Sequence, residues 1–417
     1  MACLLFAVNS YQMATPEKIM STTNKNILTI NGGSSSIKFA LYSIDDKPLR
    51  KLYGKIDRIG LNDSALTATN AETKQKNIYQ VNAKEFTRVT DFLIAWLEVQ
   101  TWFTTIKAIG HRIVHGMHHT EAEVITQPLL DELKKISGYD PDHLPGEIQL
   151  IEAFKKRHPQ LQQVACFDTA FHTTMPRVAR MFPIPRRFDD AGIQRYGFHG
   201  ISYSYIMQEL GNIDVPSANA RIIVAHLGSG ASMVAVKEGK SIDTSMGFTP
   251  TGGFMMGSRP GDLDPGVVWY MMQTEKMTPE MFSDLINHQS GLLGVAETSA
   301  DMVDLLKIES TDIRAKEAIN LFCYQAKKWI GSFTAVLGGL DVLIFTGGIG
   351  ENAPSVRKQI MEGLQFMGIE VDDARNAKNE TVISTTASGV KVYVIPTNEE
   401  LMIAKTTIKL QNDYGNE

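Results

Sequence analysis

Charged and imidazole side chains stand within apolar or glycine-rich stretches at several points of the 417-residue chain. Arg112 lies in the run Ile-Gly-His-Arg-Ile-Val, and Asp168 lies in the run Ala-Cys-Phe-Asp-Thr-Ala. His199 and Arg259 have glycine, aromatic or methionine neighbours. A buried charge is costly unless it is paired, so such residues usually belong to ion pairs or to active sites. Arg112 and Asp168 therefore predict either a plain structural ion pair or part of a charged site.

Three turns rich in glycine and polar residues each follow an apolar run of strand-forming residues. They are residues 31–36, 227–232 and 346–352. The backbone N–H groups and hydroxyls of such turns can bind phosphate without much net positive charge. Lys38 follows the first turn and adds a cation. Three such turns in one chain predict a binding site for a phosphate chain.

Other motifs for nucleophiles and nucleotides match only in part. Ser35 and Lys38 fit the spacing of acylating serine hydrolases, but the alternation of residues 37–41 predicts a strand where that motif needs a helix. Residues 252–258 resemble a P-loop, but Arg259 stands where the pattern requires Ser or Thr after a lysine. Residues 348–353 fit Gly-x-Gly-x-x-Ala between a strand and a helix, so a dinucleotide-binding fold stays an alternative.

The overall composition excludes several classes of protein. The net charge of −5 offers no general attraction for nucleic acid or for an anionic membrane. The three cysteines are far apart, which favours a reducing compartment over a disulfide framework. Glycines bracket the group formed by His111, His115, His118 and His119, and Arg112 lies inside it, which argues against a metal site. We interpret His115, His118 and His119 as structural or surface residues. Residues 1–26 predict a disordered leader, because regular periodicity begins only near Ile27, and the lack of a basic residue before the apolar stretch argues against a secretory signal.

The elements around these residues predict an α/β fold. Residues 27–42 and 221–236 both read as a strand, a small polar turn and a second strand, about half a chain length apart, which indicates an internal duplication. Helical spacing of apolar residues covers 85–97 and 316–337, and Pro354 suits the first turn of another helix. Strands alternating with helices, with no linker rich in proline or serine, predict two lobes in contact across a cleft.

Taken together, these segments resemble the acetate kinase family, which shares the core of actin and the sugar kinases. The resemblance covers nearly the whole chain after residue 26 and rests on eight motifs in the same order. The matching motifs are residues 31–38, 110–116, 167–172, 196–200, 226–232, 257–265, 345–352 and 396–400. The implied fold class is α/β, with two-lobed, actin-like and ribonuclease H-like duplicated domains around a central cleft.

The resemblance implies reversible transfer of the γ-phosphoryl group of ATP to acetate, which yields acetyl phosphate and ADP. It also implies Mg²⁺ as the metal, with Mn²⁺ as an alternative ion. Propionate or another short-chain carboxylate as the acceptor is the first alternative. A nucleotide-binding sensor without turnover and a nucleotide hydrolase are more distant alternatives.

The same resemblance implies roles for individual residues. The implied catalytic residues are Arg112, His143, Asp168, His199 and Arg259, and the implied metal ligands are Asn31 and Glu399. The implied pocket for the methyl group of the carboxylate contains Val114, Asp142, Phe198 and Pro250. The implied residues for the nucleotide and its phosphates are Ser34, Ser36, Lys38, His226, Gly228, Ser229, Gly230, Asp301, Met302, Val303, Gly348, Ile349, Gly350 and Asn352.

Four positions depart from the family pattern. Ser229 and Leu144 each replace an asparagine, Val303 replaces an arginine beside the adenine, and Asp142 replaces a leucine of the methyl pocket. An ionised Asp142 about 4 Å from a bound carboxylate would repel it by roughly 4 kcal/mol at an effective dielectric near 20. We therefore expect Asp142 to be protonated, to pair with a neighbour such as His143, to turn away, or to face a substrate that carries a hydrogen-bond donor.

The resemblance also predicts the organisation of the chain. Residues 27–168 with 397–417 are expected to form lobe I, and residues 169–396 are expected to form lobe II. Family members are typically homodimers, so we expect a homodimer here. We further expect a cytoplasmic protein that binds a carboxylate and a nucleotide, and neither nucleic acid nor a membrane.

Overall fold

The computed structural model describes residues 25–33, 36–61, 63–81 and 85–414. Its strands form two sheets. The first sheet contains β1 (Asn26–Gly32), β2 (Ser36–Ser43), β3 (Arg50–Asp57), β4 (Ala65–Asn70), β5 (Lys76–Gln80), β6 (Ile106–Ile113), β7 (Glu123–Val124) and β8 (Gln162–Phe167). The second sheet contains β9 (Arg221–Leu227), β10 (Ala231–Lys237), β11 (Lys240–Thr244), β12 (Val342–Thr346) and β13 (Lys391–Val394).

The helices lie between and after these strands. They are α1 (Phe86–Glu98), α2 (Gln127–Ile136), α3 (Leu144–Arg157), α4 (Arg177–Arg180), α5 (Arg186–Asp190), α6 (Gly200–Ile213), α7 (Val215–Ala218), α8 (Pro265–Thr274), α9 (Pro279–His288), α10 (Gly291–Ala296), α11 (Met302–Ile308), α12 (Ile313–Leu337), α13 (Gly347–Asn352), α14 (Pro354–Met361), α15 (Asp373–Ala377) and α16 (Glu399–Tyr414). None of the helices in the described part of the chain combines the length and the apolar character needed to cross a bilayer.

The five strands of the second sheet follow the same order as the strands β3-β2-β1-β6-β8 of the first sheet. The first runs β5-β4-β3-β2-β1-β6-β8-β7, and the second runs β11-β10-β9-β12-β13. β1 pairs antiparallel with β2 and parallel with β6, and β9 pairs antiparallel with β10 and parallel with β12. Therefore β1 corresponds to β9, and β6 corresponds to β12. The predicted duplication and the α/β fold class are therefore confirmed.

The alternation along the strands decides which helix covers which face. In β1, Leu28 and Ile30 pack with α1 and α3, whereas Ile27 packs with Ala404 and Ile408 of α16. In the second sheet, Ile223 and Ala225 of β9 pack against α12, and the alternate residues of β9 pack against α6. Because the side-chain period of a strand is two, the central strands β1 and β9 are buried on both faces. The C-terminal helix α16 thus returns to the first sheet after the last strand of the second.

Most predicted elements are present with small shifts of their ends. The helices expected over 85–97 and 316–337 are α1 and α12, and β1 already begins at Asn26, whose buried amide donates to Thr105 Oγ1 at 2.6 Å. The remaining leader, residues 1–24, lies outside the described residues. The predicted turn 346–352 is instead the short helix α13. The chain can turn into it because Gly347 has φ +77°, where a β-carbon would lie 2.7 Å from Leu227 O.

Two cysteines of the described chain are buried thiols. Cys166 lies in β8 and Cys323 lies in α12. Burial raises the pKa of each thiol to about 12. Neither forms a disulfide, in agreement with their distance along the sequence.

Candidate active site

The first strands of the two sheets end beside the N-terminus of α16. Asn31 and His226 are both the penultimate residues of their strands, and Glu399 is the first residue of α16. The Asn31 side-chain amide donates to Glu399 Oε2 at 3.1 Å. Burial acts to raise the pKa of Glu399, but the charges of Arg112, His226 and Lys38 lower it overall. Glu399 is therefore a carboxylate held among positive charges.

Arg112 at the end of β6 is fixed by carboxylates. Its Nε and Nη2 donate to Asp168 Oδ2 at 2.9 and 2.5 Å, and its Nη1 lies 4.0 Å from Glu147 Oε1. Burial raises the pKa of Asp168 and Arg112 opposes this rise, while the carboxylates raise the pKa of Arg112 itself against the effect of burial. The predicted ion pair is present, and it orients the guanidinium within the site.

His199 caps the start of α6 with left-handed backbone angles, φ 60° and ψ 20°. Its Nδ1 lies 2.8 Å from Ser232 Oγ, which also bonds the Tyr203 hydroxyl. The ring stacks on His226 with the centroids 4.3 Å apart. Burial, followed by the charges of His226, Arg112 and Arg259, holds the pKa of His199 well below its usual value, so the ring is neutral.

Arg259 and His199 meet at Gly230 in the turn between β9 and β10. A β-carbon on Gly230 would lie 2.9 Å from Arg259 Nη2 and 3.4 Å from His199 Nε2. Arg259 Nη1 donates to Pro250 O at 2.8 Å, which fixes the other side of the guanidinium. Burial lowers the pKa of Arg259, Asp140 and Asp142 oppose this, and Arg112 lowers it further. Arg259 and a neutral histidine thus meet where the turn carries no side chain, and the charge of Arg112 acts on both.

A cavity of about 910 Å³ opens beside this centre. Eight of the predicted nucleotide residues line it, namely Gly228, Ser229, Asp301, Met302, Val303, Gly348, Ile349 and Asn352. They come from the β9–β10 turn, the start of α11 and the helix α13, three segments that lie between residues 228 and 352. The Asp301 carboxylate also caps α11 by accepting the Val303 N–H at 2.8 Å.

Other predicted phosphate residues lie elsewhere. Residues 348, 349 and 352 share the face of α13 that lines the cavity. Gly350 lies on the opposite face of this helix and is therefore buried behind the cavity. Its carbonyl accepts from Arg357 Nη1 at 2.8 Å. Lys38 projects from β2 and influences the pKa of both His226 and Glu399, while Ser36 begins that strand. Ser34 lies outside the described residues.

The predicted carboxylate pocket has apolar and polar sides. Val114 and Phe198 are buried in one apolar cluster, and Pro250 bonds Arg259 as described. Asp142 does not pair with His143. Its Oδ1 lies 3.7 Å from His288 Nε2 at the end of α9, while His143 Nδ1 lies 2.9 Å from Asp140 Oδ1.

The remaining departures from the family pattern have simple surroundings. Leu144 begins α3 and is fully buried among Leu129, Leu133 and Ile148, so an apolar side chain fits where the family has an amide. Ser229 and Val303 both line the cavity, and Val303 is 56% exposed. The cavity wall at Val303 is therefore apolar and open to solvent.

Several residues that the sequence analysis did not identify hold the site together. Glu351 Oε1 accepts the N–H of Gly347 at 2.9 Å and the N–H of Thr397 at 3.0 Å. Ser202 Oγ lies 2.9 Å from His226 Nδ1 and 2.8 Å from Thr397 Oγ1. Glu351 lies in the matching motif of residues 345–352, and this match is the sequence signal that could have identified it.

Glu147 is a second carboxylate that the sequence analysis did not identify. Both of its oxygens accept the Val114 N–H, at 3.0 and 3.3 Å. Burial raises the pKa of Glu147 well above its usual value, against the effect of Arg112. Its signal in the sequence is a carboxylate on the apolar face of α3, in phase with Leu144, Ile148 and Ile151.

Three histidines of residues 111–119 contact neighbouring side chains within the chain. His111 Nε2 lies 2.7 Å from Gln163 Oε1 within the core, and His115 packs edge-on to Tyr196 and Phe198. His119 lies between Glu123 and Glu132. Among the described residues, no three histidine, cysteine or acidic side chains cluster as metal ligands.

Comparison with known proteins gives a family for these features. The model of the acetokinase family matches residues 26–405. "Acetate kinase 1" of Lactococcus lactis subsp. lactis is 43% identical over 386 residues, 91% of this chain and 97% of that protein. "Acetate kinase" of Thermoanaerobacterium thermosaccharolyticum is 43% identical over 395 residues, 92% of this chain and 98% of that protein.

Solved structures agree with the sequence matches. The crystal structure of Porphyromonas gingivalis acetate kinase superposes with a TM-score of 0.83 at 35% identity, covering 93% of this chain and 99% of that one. A propionate kinase from Francisella tularensis superposes with a TM-score of 0.86 at 36% identity, covering 92% and 98%. The two sheets described above are thus the two halves of the actin-like fold.

Proposed function

We propose that this chain, which belongs to the acetokinase family, transfers the γ-phosphoryl group of ATP reversibly to acetate, giving acetyl phosphate and ADP. The observation that carries the proposal is that Arg259 and His199 meet at Gly230, within the field of Arg112 and beside a cavity lined by the predicted nucleotide residues. Propionate is a second candidate acceptor, because the propionate kinase from Francisella tularensis has a closely similar structure.

The proposed mechanism is direct, in-line transfer. The acceptor oxygen of a carboxylate is already anionic, so the reaction needs no strong base but must bring two anions together. Arg112 and Arg259 offset this repulsion by holding the carboxylate and the equatorial oxygens of the phosphoryl group. Cationic groups that stabilise this transition state contribute on the order of 10³ to 10⁵ in rate.

His199 acts as a neutral hydrogen-bond donor. If Ser232 donates to Nδ1, the proton of the neutral ring stands on Nε2, which is the nitrogen that faces Gly230. Tyr203 in turn bonds Ser232 and fixes this tautomer. The donor then stabilises charge on the phosphoryl oxygens, a type of contact whose removal costs about 10² to 10³ in kcat.

Asn31, Glu399 and Asp168 suit a hard divalent cation such as Mg²⁺. The Asn31 amide bonds Glu399, and Asp168 Oδ1 is buried without a hydrogen-bond partner among the described residues. Carboxylate and amide oxygens are the ligands that Mg²⁺ prefers, and the ion keeps several waters. Bound there, Mg²⁺ would neutralise part of the phosphate charge. Activity that survives removal of divalent cations by EDTA would contradict this assignment.

The nucleotide and the acyl group occupy separate places. Adenosine fills the cavity between α11 and α13, and the phosphates extend past Gly228 and Gly230 toward Lys38. The methyl group of acetate lies against Val114, Phe198 and Pro250. One methylene group in an apolar pocket discriminates by only about 1 to 3 kcal/mol, so we expect propionate to react as well, more slowly.

The two lobes consist of residues 27–168 with the C-terminal segment from 397, and of residues 169–396. The support is that α16 packs on β1 and β6, although β13 of the other sheet precedes it. The catalytic groups come from both parts, so closure would complete the site and exclude water.

Assembly as a homodimer is supported by α8, which buries none of its residues within the chain. Its apolar side chains include Trp269 and Tyr270, 66% and 65% exposed. Exposed patches of this kind mark protein interfaces, and two-fold homodimers are the commonest soluble assemblies. Sedimentation velocity measures the mass directly, and a monomer at micromolar concentration would contradict the proposal. The reduced cysteines support a cytoplasmic location, and the acidic net charge argues against nucleic-acid binding.

A hydroxamate assay tests the function. The chain is incubated with ATP, Mg²⁺ and acetate, propionate or butyrate, and hydroxylamine traps any acyl phosphate. We expect acyl hydroxamate with acetate, and a loss of about 10³-fold in kcat for Arg259→Ala. The variant Arg314→Ala, changed at an exposed arginine on α12, serves as the matched control.

The same assay separates the alternatives. No acyl phosphate from any of the three carboxylates would overturn the proposed function. Phosphate released from ATP at equal rates with and without carboxylate would indicate a nucleotide hydrolase. Nucleotide binding without any turnover would indicate a sensor.

A further inference from the structure

A second cavity, of about 470 Å³, lies on the first sheet beyond the N-terminal end of α16. It stands on the outer strands β2–β5, on the face where Ala40 and Tyr42 pack against α16. Glu400 in the first turn of α16 forms one edge. Because α16 does not extend over the outer strands, this part of the face is open to solvent.

The strand pairing places cations of three strands side by side. Lys38 of β2 is directly opposite Lys55 of β3, which is opposite Thr67 of β4. Two residues further along β4, Thr69 is opposite Lys76 of β5. Like charges directly opposite each other destabilise a sheet. The arrangement therefore costs folding stability unless an anion lies between the cations.

The charges on this face are largely uncompensated. Five cationic side chains and one carboxylate line the cavity, in a chain whose net charge is −5. Lys55 pairs with Asp57, but within the described ranges Lys38, Arg50, Lys74 and Lys76 form no ion pair.

One of these cations is held in place. The Arg50 guanidinium lies over the Tyr53 ring, 4.3 Å from its centroid. Arg50 also lowers the pKa of Tyr42 against the stronger effect of burial, which places the guanidinium beside that hydroxyl. A guanidinium stacked in this way loses less conformational entropy when it binds an anion.

The spacing of these groups indicates the class of ligand. Lys38, Lys55 and Lys76 lie on β2, β3 and β5, and neighbouring strands of the sheet are about 4.8 Å apart, so a single phosphate cannot reach all of them. A compound with two or more phosphate groups can, and the hydroxyls of Thr67 and Thr69 add hydrogen-bond donors. The volume fits a small molecule.

We infer that this cavity binds a small molecule with two or more phosphate groups, outside the proposed nucleotide site. Lys38 belongs to both places, since its charge also acts on His226 and Glu399. A ligand in the cavity draws Lys38 away from the phosphoryl centre and slows transfer. The binding itself does not depend on the proposed function.

Tripolyphosphate is the probe, titrated calorimetrically into the full chain saturated with ADP in the absence of divalent cations. Saturating ADP occupies the proposed nucleotide site, so tripolyphosphate binding that the lysine variants below weaken reports the second cavity. We expect one tripolyphosphate per chain. The double variant Lys74→Ala/Lys76→Ala should weaken it at least tenfold and leave ADP affinity unchanged. Failure of ADP to bind would count against the proposed function alone.

The matched control is Lys237→Ala/Lys240→Ala, which removes two exposed lysines that face each other at the corresponding hairpin of the second sheet. Lys76→Glu is a second variant, checked by its melting temperature, in case the double variant is unstable. No binding to the ADP-saturated chain, or an equal loss in the control, would overturn the inference. Tighter binding of a twelve-nucleotide RNA than of tripolyphosphate, lost in the double variant, would instead assign the face to a nucleic acid strand and also overturn it.

Discussion

Asp142 places a carboxylate near the proposed pocket of an anionic substrate. Its Oδ1 lies 3.7 Å from His288 Nε2, and its side chain is 29% exposed, so solvent weakens its field. Its negative charge still acts on Arg259, which we propose to hold the substrate carboxylate. Removal of that charge should therefore favour acetate.

We predict that Asp142→Leu lowers the KM for acetate several-fold, the size expected of about 1 kcal/mol for a partly exposed charge. Steady-state kinetics at pH 7.5 measures it. His288→Gln, which leaves the aspartate without its partner, should raise the KM instead. An unchanged KM in Asp142→Leu would mean that the carboxylate does not face the ligand.

At the scale of elements, Glu351 connects two segments that are distant in sequence. One of its oxygens holds the start of α13 and the backbone of Thr397, two residues before Glu399. Hydrogen bonds to a charged acceptor contribute about 1.5 to 3 kcal/mol each. The helix beside the nucleotide cavity and the segment that delivers Glu399 are therefore positioned by one side chain.

We predict that Glu351→Ala raises the KM for ATP about tenfold or more and lowers kcat, while the KM for acetate changes little. A merely structural loss would lower only the apparent kcat, through the amount of folded protein, and would leave both KM values unchanged. Glu351→Gln keeps the acceptor oxygen and should restore most of the activity. Glu362→Ala, at an exposed residue after α14, is the control, and equal KM values in all these variants would refute the positioning role.

The elements that sequence patterns predicted well are those whose residues alternate. Ile37, Phe39 and Leu41 predicted β2, and the apolar spacing of residues 316–337 predicted α12, because both patterns bury one face. The helix α13 was missed because glycine residues carry no periodic signal. Its formation depends on Leu227 O and on Glu351, which are contacts that no local pattern contains.

The residues of the site likewise fall into two groups, those that sequence motifs indicate and those that only the fold brings together. Motif matches identified the arginines, His199 and the cavity residues, but the partner of Asp142 lies on α9, far along the chain, and could not be read from neighbouring residues. The family resemblance assigns Gly350 to the nucleotide site. In the structure, Gly350 belongs to the helix α13 and is buried, and its carbonyl accepts a hydrogen bond from Arg357.

At the scale of the whole molecule, buried histidines link stability to pH. Burial lowers the pKa of His111, His115 and His172 from the usual 6.5 to about 4. Below about pH 6.5 the unfolded chain therefore binds protons that the folded chain does not. Each such histidine lowers the free energy of unfolding by about 1.4 kcal/mol per pH unit in this range.

Two buried carboxyl groups act in the opposite direction. The pKa values of Glu147 and Asp168 are raised by burial, so the folded chain keeps protons that the unfolded chain releases as pH rises above about 4.5. His199 and His226, whose pKa values are also lowered, join the other histidines. The buried histidines therefore outnumber the buried carboxyl groups, and they decide how the free energy of unfolding changes between pH 5 and 6.5.

We predict that the free energy of unfolding falls as pH decreases from 6.5 to 5. Urea titrations followed by circular dichroism at several pH values measure the slope. His111→Gln removes one buried imidazole and should reduce the slope by about one proton, or about 1.4 kcal/mol per pH unit. His288→Gln, at an exposed position, should leave it as it is, and a slope of zero or of the reverse sign would contradict the prediction.

The burial of Cys166 and Cys323 has a practical consequence for the study of motion. With a pKa of about 12 and no access to solvent, these thiols should not react with maleimide reagents at neutral pH. Once Cys3 is replaced, a pair of cysteines introduced on the surfaces of the two sheets would carry a donor and an acceptor dye selectively. Energy transfer between the dyes would then follow the distance between the sheets in solution while substrates are added.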